Sequence, residues 1–272
     1  MLRRHSTPLR LHDLDQEFGR DHTSLSRLFK LVTDFVYDTH ADLVKKGLER
    51  FVDSFDLFAE KIHHKGVQLI GDGDLNQAET NVAGFIDGTG LEICRITGRG
   101  DLQGVTYTGH KRKHVLSFQG ACCPNGLIVD FTDPYPGRHH DEFMVTDSNI
   151  NGRMRDAQFG RERQYKLVGD KGYTVRSHIG QPFVGAVLSP EQRAFNLILS
   201  KLRVSVEHLF GKVKVMSAFL MYDYQLKVFK SPVGKYMVNA VLLANAHTCL
   251  NGSVVGSYFD VEAPGLAEYF SG

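Results

Sequence analysis

Three acidic residues stand out, because each ends or interrupts an apolar stretch. Asp87 follows Val82-Ala83-Gly84-Phe85-Ile86 and precedes Gly88-Thr89. Asp170 follows Tyr165-Lys166-Leu167-Val168-Gly169 and precedes Lys171-Gly172-Tyr173. Glu207 sits among Val204, Val206, Leu209 and Phe210, which places it on or beside the buried face of a helix. A lone carboxylate beside apolar packing is costly unless a positive group meets it. Three such acids on separate elements suggest a divalent metal site. Hard cations take oxygen ligands, and two of them about 3.5–4 Å apart can activate a nucleophile and neutralise a phosphate and its leaving oxygen. Phosphodiester cleavage is therefore the chemistry that two Asp and one Glu would serve, with no histidine required. Each acid also has a plainer explanation. Asp87 and Asp170 are turn or cap residues before glycine, and Glu207 can pair with Arg203 one helical turn away, a contact worth a few tenths of a kcal/mol, about 0.2–0.5.

Positioning these side chains requires rigid elements, which hold ligands better than loops. A strand that stops at Gly169-Asp170 presents its carboxylate at the carboxyl end, where open α/β sheets carry their ligands. The periodicity predicts strands from residue 82 onward: 82–93, 114–123 and 127–131, the last two joined by a Pro124-Asn125-Gly126 turn. A helix follows over 141–154, then a strand at Tyr165, a short helix at 175–179, a strand at 184–188 and a long helix carrying Glu207. Ser189-Pro190-Glu191 marks the start of that last helix. Three strands, helix, strand, helix, strand, helix is the order of a ribonuclease-H-like α/β domain, a mixed sheet flanked by helices. The expected division is a helical region over 1–80, the catalytic domain over 81–220, and a carboxyl-terminal stretch over 221–272 with an apolar helix near 235–249 and a Gly-rich tail.

The first eighty residues read as a small all-α region. Leu11, Leu14 and Phe18 have helical spacing, Gly19 stops the segment, and Asp21 caps a second helix with Leu25, Leu28, Phe29, Val32, Phe35 and Val36 on one face. This pair is either helix-turn-helix-like or a plain helical hairpin. In the helix-turn-helix reading the chain starts almost at its first helix, without a supporting helix ahead of it. A third helix is expected over about 41–63. Gly71-Asp72-Gly73-Asp74 is a loop that lacks the later ligand positions of a calcium site.

Charge alone does not imply nucleic acid. The chain has 32 Lys+Arg against 31 Asp+Glu; residues 1–80 hold 11 against 14, the remainder 21 against 17. Any DNA contact must rest on local patches. Cys94, Cys122, Cys123 and Cys249 form no Cys-x-x-Cys pair; Cys122 and Cys123, adjacent inside an apolar run, read as buried thiols, which fits a reducing compartment. The start, Met1-Leu2-Arg3-Arg4-His5, lacks the apolar core of a signal peptide, and no apolar run approaches the roughly 20 residues of a membrane helix. An intracellular, soluble protein is expected.

Five motifs occur in order: Phe85-Ile86-Asp87-Gly88-Thr89, Tyr107-Thr108-Gly109-His110-Lys111-Arg112-Lys113-His114, Pro136-Gly137-Arg138-His139-His140-Asp141, Gly169-Asp170-Lys171-Gly172-Tyr173 and Val206-Glu207-His208-Leu209-Phe210-Gly211. Together, over about residues 80–250, the chain resembles the PIF/Harbinger-type transposases, the DDE superfamily-4 endonuclease domain. The resemblance implies that Asp87, Asp170 and Glu207 are the catalytic triad holding magnesium or manganese, and that Asp141 is an additional acid of the metal site. The spacing of 37 residues from Asp170 to Glu207 is typical of that family. It further implies that Lys111, Arg112 and Lys113, with Arg203, face DNA. DNA cleavage and rejoining, a Myb-like DNA-binding partner protein, partner-dependent entry to the nucleus, no membrane association and scope for oligomers are the remaining expectations. The alternative is a domesticated or decayed transposase relative that binds DNA or protein without cutting. A second basic cluster, Arg153, Arg155, Arg161 and Arg163, is a further DNA-facing candidate, diluted by Asp156 and Glu162. Zinc at His139 and His140, or at His110 and His114, is disfavoured, because neither pair has the helix-borne His-Glu-x-x-His arrangement.

Overall fold

A computed structural model describes residues 1–7, 9–70, 81–98, 100–109 and 112–271. The helices α1 (Leu2–Ser6), α2 (Asp15–Phe18), α3 (His22–His40), α4 (Asp42–Lys45) and α5 (Phe55–Ile70) precede the sheet, with 3-10 turns at Leu11–Leu14 and Gly47–Ser54. Strand β1 (Val82–Glu92) is followed by helix α6 (Gly100–Thr106), then by β2 (Tyr107–Thr108), β3 (Lys113–Cys122), β4 (Ile128–Phe131) and β5 (Tyr135–Pro136). Helices α7 (Asp141–Asp147) and α8 (Ile150–Ala157) lead to β6 (Lys166–Val168) and β7 (Ile179–Gly180). The chain closes with α9 (Pro190–Met216), α10 (Val233–Asn251), α11 (Val254–Phe259) and α12 (Leu266–Ser271).

The sheet runs β2-β3-β1-β6-β7, with β4 and β5 also paired to β3. Strand β1 is antiparallel to β3 and parallel to β6, which is in turn parallel to β7. This mixed sheet, flanked by helices, agrees with the ribonuclease-H-like expectation. Buried positions run without alternation along much of β1, as they must when both faces of a strand are covered. The expected hairpin forms where Asn125-Gly126 reverses the chain: Gly126 takes φ +78°, and its N–H donates to the Cys123 carbonyl at 3.0 Å.

Helix α9 starts where the sequence puts it. The Ser189 hydroxyl accepts from the Gln192 N–H at 3.2 Å, the Gln192 side chain accepts from the Ser189 N–H at 3.0 Å, and Pro190 occupies the first turn. Its buried stripe of Leu199, Leu202, Val206, Leu209, Phe210 and Val213 follows the helical period and packs it along the sheet and α10.

Several expectations give way. No helix forms over 175–179; Arg176 is drawn to Glu142 and Thr146, and the His178 N–H donates to the Asn151 side chain at 3.0 Å. Residues 184–188 are not a strand, since Val184 and Val187 are exposed and have no sheet neighbour; the short strand lies earlier, at Ile179–Gly180. The helix over 141–154 divides at Asn149, which sits at φ 51°. The Gly-rich tail carries helices α11 and α12, and helix α1 stands ahead of the first expected helix.

In the amino-terminal region the single apolar face expected on α3 splits. Phe29 is buried, Val32 and Val36 are half-buried, but Leu28, Leu31 and Phe35 are exposed. The inward side lies along α10: the Thr33 carbonyl accepts from the Asn239 amide at 2.9 Å, and Lys235 pairs with Asp34 at 2.9 Å and Asp38 at 3.0 Å. One contiguous core runs from Phe29 and Phe55 through the sheet to Phe259 and Tyr269. Among the described residues, no helix is long and apolar enough to cross a membrane. The Gly71-Asp72-Gly73-Asp74 loop lies outside the described residues.

Candidate active site

The strand register brings two of the three acids together. Phe85 of β1 lies opposite Val168 of the parallel strand β6. Asp87 lies two residues beyond Phe85 and Asp170 two beyond Val168, past the last pair of the ladder, and the Asp170 charge acts on Asp87. Asp170 comes immediately after β6, where the Gly169 N–H still donates to the Gly180 carbonyl at 3.0 Å. Its own Oδ1 accepts from the Gly172 N–H at 2.8 Å, so the following turn fixes the carboxylate. Gly169 is required there, because a Cβ at that position would meet the Tyr173 ring at 2.3 Å.

Strand alternation sends Asp87 and Gly88 to opposite faces. On one face Arg203 of α9 reaches Asp87, with Nη2 3.5 Å from Oδ1. Phe210, two turns further along α9, presses on Gly120, the antiparallel partner of Asp87; a Cβ on Gly120 would meet the Phe210 ring at 2.9 Å. On the other face a Cβ on Gly88 would lie 2.1 Å from Asp141 Oδ1. Asp141, the first residue of α7, thus approaches the backbone of β1 at a point where only glycine leaves room. Gln119, the neighbour of Gly88 on β3, donates from Nε2 to the Asp141 carbonyl at 3.2 Å and to the Tyr173 hydroxyl at 3.3 Å.

The electrostatics follow from this crowding. Burial pushes the Asp87 carboxyl up to about 6; Arg203 and the Gly88 N–H oppose this, while Asp141 and Asp170 add to it. Burial also raises Asp141, with Asp170 adding to it and His140 and Arg203 opposing. The Tyr173 phenol is raised well above its ordinary value, first by burial and then by Asp141 and Asp87, so it stays protonated. Three carboxyl groups of mutual influence thus face one guanidinium. Ionised, three carboxylates outnumber the Arg203 guanidinium that opposes them among the described residues. An oxygen donor set with excess negative charge fits a hard divalent cation.

Of the two positions open to Glu207, on the buried face or beside it, it takes the second. Val206, Leu209 and Phe210 point inward, whereas Glu207 is exposed on the border of that face, one turn beyond Arg203. Among the described residues, no three of Asp87, Asp141, Asp170 and Glu207 bring ligand atoms all within 4.8 Å of one another, so the acids are neighbours rather than a closed donor set. Arg203, expected to face DNA or Glu207, turns inward to Asp87, and its Nε is buried without a partner.

Of the basic run, Arg112 is exposed in a turn at φ 53°, and Lys113 opens β3 and pairs with Glu92; His110 and Lys111 lie outside the described residues. The second basic cluster is largely occupied within the chain. Arg153 binds Glu49 at 2.7 Å and the buried Asp130 at 2.5 Å, Arg161 pairs with Asp53, Arg155 with Asp156 at 3.0 Å, and Arg163 lies over the Tyr165 ring. His139 lies against Phe143 with ring centroids 4.1 Å apart, and His114 Nδ1 is 3.1 Å from Thr106 Oγ1.

The family model for the DDE superfamily endonuclease matches residues 86–245. The chain belongs to this family. The matched segment opens one residue before Asp87 and contains Asp141, Asp170, Arg203 and Glu207. No curated protein and no solved structure gives a significant match. A DDE endonuclease domain makes DNA the substrate class and a transposase-type nuclease the class of function, in a superfamily that typically uses divalent metals. Sequence reasoning missed Gln119 and Tyr173 as supports of the acidic cluster. The tyrosine stood in the Gly-Asp-x-Gly-Tyr motif, but nothing in the sequence of β3 distinguished Gln119 from any other polar strand residue.

Proposed function

We propose that the chain is a divalent-metal-dependent DNA endonuclease and transposase of the PIF/Harbinger type. The observation that supports this best is the neighbourhood of Asp87 in mid-β1, Asp170 just past the end of β6 and Asp141 at the start of α7, each raising another's proton affinity or that of the shared tyrosine. Asp87 and Asp170 would hold magnesium or manganese, with Asp141 and Glu207 as further candidate donors. Bound there, such cations supply Lewis-acid neutralisation of the phosphate and of its leaving oxygen.

The remaining work falls to the chain itself. Arg203 neutralises Asp87 and lies beside the position a scissile phosphate would take. Gln119 fixes the start of α7 through the Asp141 carbonyl and holds the Tyr173 hydroxyl, so the acidic groups rest on packed elements. Lys111, Arg112 and Lys113 face the DNA backbone, which positions the substrate without reading its sequence. A Myb-like partner protein, nuclear import through it, and DNA contact by the exposed Arg20 and Arg27 of the helix-turn-helix-like region belong to the same proposal.

Nicking of supercoiled plasmid with Mg²⁺ or Mn²⁺ tests it. The wild-type chain is expected to nick, and both Asp170→Asn and EDTA to abolish nicking while the fold survives. Equal nicking in all three conditions would refute the proposal. The exposure of Glu207 favours a second reading, a domesticated relative that binds DNA without cutting. DNA retention without nicking by the wild-type chain selects that one.

A further inference from the structure

Far from the acidic cluster in sequence, the corner between α2 and α3 gathers a different set of ligating groups. His12 lies in the 3-10 turn Leu11–Leu14, Asp15 opens α2, and His22 opens α3. Gly19, at φ +60°, reverses the chain between them, so eleven consecutive residues fold back on themselves. His12 Nδ1 lies 2.8 Å and His22 Nδ1 3.4 Å from the same oxygen, Asp15 Oδ2. One ligand atom of each residue lies within 4.8 Å of the other two, and among the described residues this is the group of three that does so. The imidazole rings meet edge to face, with centroids 5.6 Å apart. The second oxygen, Asp15 Oδ1, is shielded from solvent and has no hydrogen-bond partner.

We propose that His12, Asp15 and His22 form a site for a divalent transition metal of the Zn²⁺ type. Two imidazoles and one carboxylate suit zinc and its neighbours, and do not suit magnesium, which takes oxygen ligands. Bonds of about 2.0–2.2 Å in tetrahedral geometry set ligand atoms roughly 3.3 Å apart. The two separations from Asp15 Oδ2 bracket that value, and the two histidine nitrogens lie within 4.8 Å of each other. Both histidines are exposed, which leaves the fourth position to water. The ion would tie the 3-10 turn and α2 to the first turn of α3. None of this depends on the nuclease assignment.

Isothermal titration of Zn²⁺ into the metal-stripped full chain tests the site, alongside Asp87→Asn/Asp170→Asn and His12→Ala/His22→Ala variants. The wild-type and carboxylate-variant chains are expected to share a one-equivalent binding event that the histidine variant lacks. Zn²⁺ is likewise expected to raise the unfolding temperature of the first two and not of the third. An unchanged metal-free unfolding temperature in the histidine variant shows that it is folded, and Asp15→Asn, which keeps the side-chain shape, should weaken the event. A histidine variant that binds as many equivalents as the wild type, or a carboxylate variant that binds no Zn²⁺, overturns the proposal.

Discussion

Asp87 illustrates how a residue suited to chemistry burdens the fold that carries it. Its carboxyl is half-buried near Asp141 and Asp170, and Arg203 at 3.5 Å compensates in part. The folded chain therefore holds the Asp87 proton more tightly than the unfolded chain, so the stability this residue contributes falls as pH rises from about 4 to about 6. At neutral pH without metal, the ionised side chain is a net cost. Asp87→Asn should raise the stability of the metal-free protein by on the order of 1–3 kcal/mol, while ending cleavage. Thermal unfolding in EDTA measures this; an unfolding temperature below that of the wild type would show that the Arg203 pair outweighs the cost of burial. Both Asp87 and Asp170 were legible in the sequence because an Asp-Gly or Gly-Asp pair after an apolar run is a local signal, although β1 runs on past Asp87 to Glu92. The inward turn of Arg203 was not, since i and i+4 spacing gave it Glu207 as its nearest acid, whereas the Asp87 contact depends on how α9 crosses the sheet.

At the scale of elements, the site depends on glycines that let them approach. Gly88 leaves room for the Asp141 carboxylate, and a methyl group there would meet its oxygen at 2.1 Å. Gly88→Ala is expected to displace Asp141 and α7 and to lower cleavage by about 100-fold, the scale of loss from a displacement of about 1 Å at a catalytic site. Nicking rates with unfolding curves check this, and activity within twofold of wild type would remove Asp141 from the working site. The same scale shows where sequence patterns carried the fold. The Ser189-Pro190 start of α9 and the Asn125-Gly126 turn were readable because capping and turn chemistry lie within four residues. The strand expected at 184–188 was not formed, because apolar composition there reflects no burial: Val187 is 91% exposed. The helix divides at Asn149, which takes the left-handed conformation (φ 51°) that asparagine tolerates better than most residues.

For the molecule as a whole, the amino-terminal helices and the catalytic sheet share one core, so the ends of the chain bear on the stability of the centre. His5 is an example. It is buried against Phe29 and Phe219, with Nδ1 3.2 Å from Ser217 Oγ and Nε2 without a partner. Burial first, with the charge of Arg4 adding to it, lowers its pKa to about 4. The unfolded chain then binds the proton more readily, so the His5 contribution is intact above about pH 6.5 and is lost as pH falls towards 4. Over that window the wild type should lose up to roughly 3 kcal/mol that His5→Leu does not lose. Unfolding curves for both proteins across the window measure the difference, and parallel curves would contradict it. The shared core was not visible in sequence, where a change from helical to strand periodicity near residue 82 suggested a boundary. Contacts such as Asn239 to Thr33 join residues too far apart in the chain for any local pattern to reveal.

On the proposed reading, carboxylates from separate elements share one cation site. Mn²⁺ binding followed by electron paramagnetic resonance, on the wild-type chain and on Asp87→Asn and Asp170→Asn, tests it most directly. Each substitution should weaken Mn²⁺ binding at least tenfold, about 1.4 kcal/mol, with the fold intact. Equal affinity in all three proteins would show that these acids hold no metal in common.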